Sequence, residues 1–304
     1  FVLQIVTGLF AAFVYCPYGD ESFFSTVRLF IDVNVGWIVR FLHAQCVSFC
    51  FFVMFLHIIK GLFFSSRYLP LMWYSGIVIF VLSMAIAFMG YSLPYGQMSY
   101  WGATVILNLF FWAGDFVPLL LGDYSVSDVT LRRFFILHYA LPFVLLIYVM
   151  VHIFFLHRSS STNPLSAVDS YLVVRFYPTA VFSDLRFVVI ALIVVVAQLS
   201  FGFIPLFQGD HDNSILADSL QTPLHIVPEW YLLAFYATLK LLPGKISGLI
   251  SMAILLELVV VLSEARSKTQ VISCSTYHRN WAMSSVVIIP AFFVLGTIGR
   301  MTLN

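Results

Sequence analysis

The sequence predicts an all-α fold, an integral membrane helical bundle of about seven spans. Three observations carry that expectation. Hydrophobic residues make up 61% of the chain and charged residues 10%, with mean hydropathy +0.98; a soluble domain is nearer half apolar and a quarter charged. Apolar runs almost free of Asp, Glu, Lys and Arg recur along the whole length, each about long enough to cross a bilayer as a helix. The charges gather in the connections between those runs. A net charge of +1 argues against a nucleic-acid partner.

The first run, FVLQIVTGLFAAFVY at 1–15, falls short of the roughly 20 residues that a span needs. It has neither a basic n-region nor a cleavage site, so it reads as the second half of span A and not as a signal peptide. Spans B to E follow at 41–59, 73–94, 134–157 and 187–207, span F at 246–263 (interrupted by Glu257) and span G at 281–299. Polar connections occupy 16–36, 95–133, 158–186, 208–245 and 264–280. Within 95–133, YWGATVILNLFFW and FVPLLL are apolar but too short to span, and are expected as short helices along the interface. The four cysteines form no CxxC or CxxCH, which excludes covalent haem attachment and a disulfide framework. Cys46 and Cys50 share a helix face in apolar sequence and are expected to pack.

Basic residues set orientation. The connections after B, D and F carry Lys60, Arg67, Arg158, Arg175, Arg186, Arg266, Lys268 and Arg279 against three acids, Asp169, Asp184 and Glu264. The opposite connections carry six basic residues against ten acids, among them Asp20, Asp128, Asp210 and Glu229. The first set is expected on the negative (matrix or cytoplasmic) side.

Four histidines form two matched pairs, His43/His57 on span B and His138/His152 on span D, each fourteen residues apart. Fourteen residues turn a helix by about 1400°, within ~40° of the same face, and climb roughly 21 Å. Spans B and D run in the same direction, so His43 is expected to face His138 near one surface and His57 to face His152 near the other. Two helices built this way clamp two stacked cofactors. Imidazole is an axial ligand for haem iron, and two histidines leave no open site, which favours electron transfer over oxygen chemistry. These four are the candidate metal ligands. A lone membrane histidine can instead pack helices or relay protons; the repeated interval is what that alternative leaves unexplained.

Haem propionates call for cations, and Arg40, Arg133 and Lys60 stand three, five and three residues from His43, His138 and His57. Each could instead tie a helix end to the headgroups. A flat macrocycle close to a backbone calls for glycine. Gly76 and Gly90 on span C repeat the fourteen-residue interval, and Gly8 on span A suits the same purpose. Glycines also mark helix–helix contact in membranes.

With these residues in place, the chain resembles the cytochrome b family of ubiquinol:cytochrome c oxidoreductase, complex III, in its mitochondrial form. The motifs are RFLHAQC (40–46), FMGYSLPYGQMSYWGATV (88–105), LRRFFILHYALPF (131–143), HIFFLH (152–157) and HIVPEWYLLAFYATLK (225–240), so the likeness covers nearly the whole chain. The related chloroplast b-type cytochrome has a second histidine pair one residue wider and its Pro-Glu-Trp-Tyr helix on a separate subunit. Here both pairs are fourteen apart and one chain carries everything. There are departures. Tyr95 replaces a common Trp in Pro94-Tyr95-Gly96-Gln97, Lys60 stands where arginine is usual, and Tyr177 and Ser183 align with a frequent His and Lys. The family has eight spans, and this sequence ends after a seventh.

The resemblance implies two non-covalent b-type haems, a low-potential one at His43/His138 and a high-potential one at His57/His152. It also implies a di-haem N-terminal domain at 1–184 (spans A to D) and a C-terminal domain at 185–304 (spans E to G). Ubiquinol would be oxidised on the positive side, where Glu229 of Pro228-Glu229-Trp230-Tyr231 hydrogen-bonds it and carries a proton outward, in a slot lined by Tyr91, Gly102, Ala103 and Tyr236. Glu229 also suits a helix N-terminus after a proline, and Tyr91 and Tyr236 are also plain interfacial aromatics. On the negative side His157, Ser161 and Asp184 would border a second quinone pocket. An imidazole and a carboxylate there can supply the protons that reduction consumes. One electron would pass to an iron–sulfur partner and the other across the two haems, the Q cycle. Implied partners are the Rieske iron–sulfur protein, cytochrome c1, other complex III subunits, a second copy in a homodimer, and membrane lipid. The implied location is the mitochondrial inner membrane, with a bacterial plasma membrane as the alternative. A di-haem anchor of another respiratory dehydrogenase explains the histidines but not the Pro-Glu-Trp-Tyr loop, and a secondary transporter with histidine relays predicts no haem at all.

Overall fold

The computed structural model describes residues 1–63, 69–110, 114–159, 174–204, 208–261 and 279–301. Among them the chain is a bundle of helices: α1 (Val2–Ala12), α2 (Gly19–Ile31), α3 (Gly36–Phe63), α4 (Pro70–Ser92), α5 (Gln97–Asn108), α6 (Phe116–Leu121), α7 (Asp128–Ser159), α8 (Val181–Phe201), α9 (Leu233–Leu241), α10 (Lys245–Val261) and α11 (Arg279–Arg300). Four of the described helical stretches are long and apolar enough to cross a membrane: Gly36–Leu62, Pro70–Ser92, Asp128–Ser159 and Phe176–Phe201. They overlap spans B to E, although the helix of span E ends at Phe201 and not at 207, because Gly202 breaks it. Span A corresponds to α1, F to α10 and G to α11.

The boundaries follow local chemistry. Pro70 opens α4, where its missing N–H costs nothing. Gly202 closes α8 in the left-handed conformation at φ 57°, which side chains with a Cβ resist. The apolar stretches of the 95–133 connection form the short helices α5 and α6, as their length requires. One helix was not expected. The 16–36 connection folds as α2, with Asp20 and Glu21 in its first turn and Arg28 in its last, an arrangement that matches the helix dipole. Ser22, Ser25 and Leu29 bury its inner face.

α1, α3, α4 and α7 form the central bundle, with α2 against α3. α4 buries serines and an alanine (Ser75, Ser83, Ala87), the small residues that let membrane helices approach closely. One buried cluster joins α4, α5, α6 and α7 through Met89, Tyr100, Leu107, Val117 and Phe134. Another joins α3 and α4 to the 230–241 segment through Phe51, Phe80, Ala87, Tyr231 and Phe235. α9, α10 and α11 pack together beside it. α8 is different: none of the apolar window of its span is buried within the chain, and beyond the 176–180 turn that opens it the helix it contacts most is α3.

Candidate functional site

Because α3 and α7 run in parallel beside the antiparallel α4, the histidines meet as two layers. The His43 and His138 ring centroids are 6.1 Å apart; those of His57 and His152 are 6.3 Å apart. An imidazole nitrogen ligates a first-row metal at about 2 Å and lies about 1.2 Å from its own ring centroid, so two axial imidazoles on one metal place their centroids about 6.4 Å apart. Both pairs fit a shared iron.

Hydrogen bonds assign the tautomer. His138 Nδ1 lies 2.8 Å from the Ile86 carbonyl, which can only accept, so Nδ1 carries the proton. His152 Nδ1 lies 2.8 Å from Ser75 Oγ, and His43 Nδ1 lies 3.1 Å from Thr7 Oγ1. Each hydroxyl already donates to its own helix, Ser75 to Met72 O at 2.9 Å and Thr7 to Leu3 O at 2.7 Å. Their oxygens are left to accept from the ring. Three rings therefore keep Nε2 unprotonated and available to a metal, with the outer hydrogen bond raising ligand basicity. Thr7, Ser75 and Ile86 are partners of the histidines that the sequence reading did not single out.

The glycines lie where the fourteen-residue interval puts them. A methyl on Gly8 would come within 2.8 Å of His43 Cε1, one on Gly76 within 3.1 Å of His152 Cε1, and one on Gly90 closer still to His138. Around His43 and His138 is a cavity lined by Gly8, Arg40, Val47, Met54, Gly90, Pro142 and other mostly apolar residues. Ring spacing, free Nε2 atoms and glycine cradle all fit a haem. Arg40 lines this cavity. Arg133 instead donates to the Leu119 carbonyl at the end of α6. Lys60 is exposed one turn beyond His57, itself exposed on the chain's surface.

The Pro-Glu-Trp-Tyr segment docks against the middle of α3, between the two layers. Trp230 Nε1 donates to Ser48 Oγ at 3.1 Å, and Tyr231 stacks on Phe51 with centroids 4.0 Å apart. Glu229, just before the 3₁₀ turn Trp230–Leu232, is half-buried. Burial and, secondarily, the Asp210 carboxylate push its pKa up to about 7. Burial, then Glu229 and Tyr91, push the Tyr231 phenol well above its usual range, so Glu229, Tyr91 and Tyr231 share one electrostatic neighbourhood. Tyr236 donates to the Ile226 carbonyl at 3.2 Å. A methyl on Gly102 would meet no atom within 4 Å, so open space faces it. Ala103, by contrast, is 1% exposed and packed in the α4–α7 cluster.

The 208–229 connection closes over this end. Gln97 N donates to Ile215 O at 2.9 Å, Ala217 N to Tyr95 O at 3.1 Å, and the Gln97 side chain bonds both Asp218 N and Gln221 O. Asn213 Oδ1 accepts from Ser99 N and Oγ at 2.8 and 2.9 Å. At the opposite end His157 and Asp184 are both exposed, at the last turn of α7 and the first turn of α8. Ser161 lies outside the described residues.

The comparisons agree with this geometry. The family model described as cytochrome b/b6/petB matches residues 1–160, and that described as cytochrome b(C-terminal)/b6/petD matches 216–304. Cytochrome b of Theileria parva is 50% identical over 303 residues, covering 100% of this chain and 84% of that protein. Cytochrome b of Plasmodium berghei is 44% identical over 98% of this chain and 79% of its own length, and that of the fungus Mycosarcoma maydis 43% over 98% and 76%. A chain from a structure titled hyperthermophilic respiratory complex III superposes with a TM-score of 0.92 at 27% identity, over 100% of this chain and 82% of that one. With both family models matched and identity of this order along its whole length, the chain belongs to the cytochrome b family.

Proposed function

We propose that the chain carries electrons across a membrane between quinol and quinone, as the catalytic cytochrome b subunit of a ubiquinol:cytochrome c oxidoreductase. The observation that carries this reading is the pair of histidine layers, with centroids 6.1 and 6.3 Å apart in one bundle. His43 and His138 would hold the low-potential b-type haem, and His57 and His152 the high-potential one. When bound, such a group supplies one-electron transfer without an open site for oxygen. Arg40 and Lys60 would face propionates. Arg133, engaged at Leu119, holds α6 to α7, so at the first layer Arg40 is the better placed of the two arginines.

Quinol must lose two protons as it is oxidised. A general base works best with a pKa near the operating pH, and burial brings Glu229 to about 7. Tyr91, Gly102 and Tyr236 would border the slot, with Ala103 behind them. At the far end His157, Ser161 and Asp184 would deliver protons to quinone. The division at 184/185 separates the di-haem part from the part carrying Glu229; the two family models, matching 1–160 and 216–304, support it. The proposed setting is the mitochondrial inner membrane, with the His157 end toward the matrix, in a homodimeric complex with the Rieske protein, cytochrome c1 and further subunits. A reduced-minus-oxidised spectrum of the purified complex, with haem counted per polypeptide, tests the reading. Two b-type haems and quinol:cytochrome c activity are expected. No haem would turn the histidines into relays, and haem without that activity would favour an anchor subunit.

A further inference from the structure

α10 carries a carboxylate where a membrane helix has no ordinary use for one. Glu257 lies six residues before the end of the apolar run 246–263. Its depth is fixed by a neighbour: Trp73 Nε1 donates to the Val259 carbonyl at 2.9 Å. α4 and α10 run in opposite directions, so Glu257, two residues before Val259, is level with Ser75, two residues after Trp73. Ser75 is the partner of His152. Glu257 therefore sits at the depth of the second histidine layer, within the apolar run 246–263. It is exposed there, on a stripe with Ile250, Ile254 and Leu258, while Gly248 on the opposite face is buried against Leu239.

α9 and α4, the helices that α10 contacts most, carry one cation between them, Lys240. Lys240 is spoken for by the Gly299 and Met301 carbonyls at 3.2 and 2.8 Å. It also belongs to the other end of α10, since Ser251 Oγ bonds Thr238 O. Intramembrane acids are costly and pair with a cation or line a polar path. Among the described residues the outward stripe of Ile250, Ile254 and Leu258 offers no such path.

We propose that the Ile250–Glu257 face of α10 docks a transmembrane helix of another subunit, which presents a Lys or Arg to Glu257 at the depth of the His57/His152 layer. The proposal rests on the chain working within a multi-subunit complex. A photo-crosslinking residue at Ile254 in the intact complex tests it. The expected product joins this chain to a different polypeptide, through an apolar segment that mass spectrometry finds to contain a Lys or Arg. In a Glu257→Leu background that product should fall at least fivefold, with the b-haem spectrum unchanged. Crosslinks to lipid alone, to a second copy, or to 262–278 of the same chain overturn the proposal, as does a product that survives Glu257→Leu undiminished. In a variant that fails to assemble, carbodiimide treatment of native membranes decides: an amide from Glu257 to another subunit's lysine, or protection from the reagent by an arginine partner, supports it, and a free acylurea on Glu257 overturns it. Loss of the haem spectrum in the native protein would count against the electron-transfer reading instead.

Discussion

The two histidine layers use the same residue type and spacing but differ in surroundings, chiefly at His57. His43 and His138 sit in a cavity walled by α1, α2, α3, α4 and α7. His57 is exposed, and the nearby His157 and Asp184 stand at the chain's surface. Burial is what lifts Glu229 to about 7 at the closed end. A desolvated carboxylate accepts a proton readily near neutrality and is shielded from bulk water. On the proposed function His157 and Asp184, exposed at helix ends, would deliver protons without such tuning. On the same proposal the closed end would control the proton that leaves and the open end would admit the protons that arrive.

The largest expected effect removes a ligand at each end. His43→Ala and His57→Ala should each lower haem from two per chain to one, and each should delete a different b-type absorbance. They should differ in stability. Emptying the closed cavity leaves apolar walls without a filler, whereas the open site loses less packing. His43→Ala should therefore lower Tm more than His57→Ala. Equal haem loss with equal Tm would end the distinction between the two ends.

Next in size is the base. Glu229→Gln nearly preserves shape but removes the proton acceptor, and general-base catalysis contributes roughly 10²–10⁴-fold. Quinol oxidation should fall by about that factor with both haems retained. The sign of the pH dependence follows from the raised pKa. Below about 7 Glu229 is mostly protonated and cannot accept, so the native rate should climb as pH rises through about 7 and then level. The Gln variant should be slow and flat from pH 6 to 9. His157→Ala at the open end should cost only about tenfold in quinone reduction, because water can replace an exposed proton donor. A His157 effect larger than that of Glu229 would reverse the assignment.

The glycine cradle separates the ends more finely. Gly76→Ala places a methyl 3.1 Å from an edge of His152, where a small ring shift relieves it. Gly90→Ala meets His138 more closely, and that ring is held by Ile86 inside the cavity. Overpacking costs about 1–3 kcal/mol. Gly90→Ala should approach the upper figure and weaken haem retention, and Gly76→Ala should stay near the lower one, as read by thermal melts of the haem bands. Equal losses would mean that the open end is as tightly built.

Much of this was legible in the sequence, for a physical reason. Helix periodicity places His43 and His57, or Gly76 and Gly90, on one face whatever surrounds them, and apolar run length fixes what can span. Interactions between distant segments were not legible. Thr7 is 36 residues from His43 and Ser75 is 77 from His152, and serines and threonines are ordinary in membrane helices. Arg133 has a known distance along the chain from His138, but the sequence does not give its direction, and its bond to the Leu119 carbonyl was not legible. Ala103 was placed by motif, yet packing carries it into the core. α2 was passed over because its faces mix polar and apolar residues, although its charged ends were a readable signal.

The smallest effect concerns the atoms behind the ligands. Thr7→Val and Ser75→Ala delete the oxygen that accepts from Nδ1 of His43 and His152, leaving coordination itself intact. An imidazole whose Nδ1–H is hydrogen-bonded is a stronger electron donor, which favours the ferric state and lowers the midpoint potential. Losing the acceptor should raise it. A tenfold change in relative stability is 59 mV for one electron, and a single neutral hydrogen bond should supply less than that, about 20–50 mV. The hydrogen bond is stronger where the dielectric is lower, so Thr7→Val at the closed end should move its haem further than Ser75→Ala moves the other. Each substitution should leave the opposite haem within error in a redox titration resolving the two bands. A shift at the opposite haem, or a larger one from Ser75→Ala, would mean that enclosure does not govern how strongly each layer holds its iron.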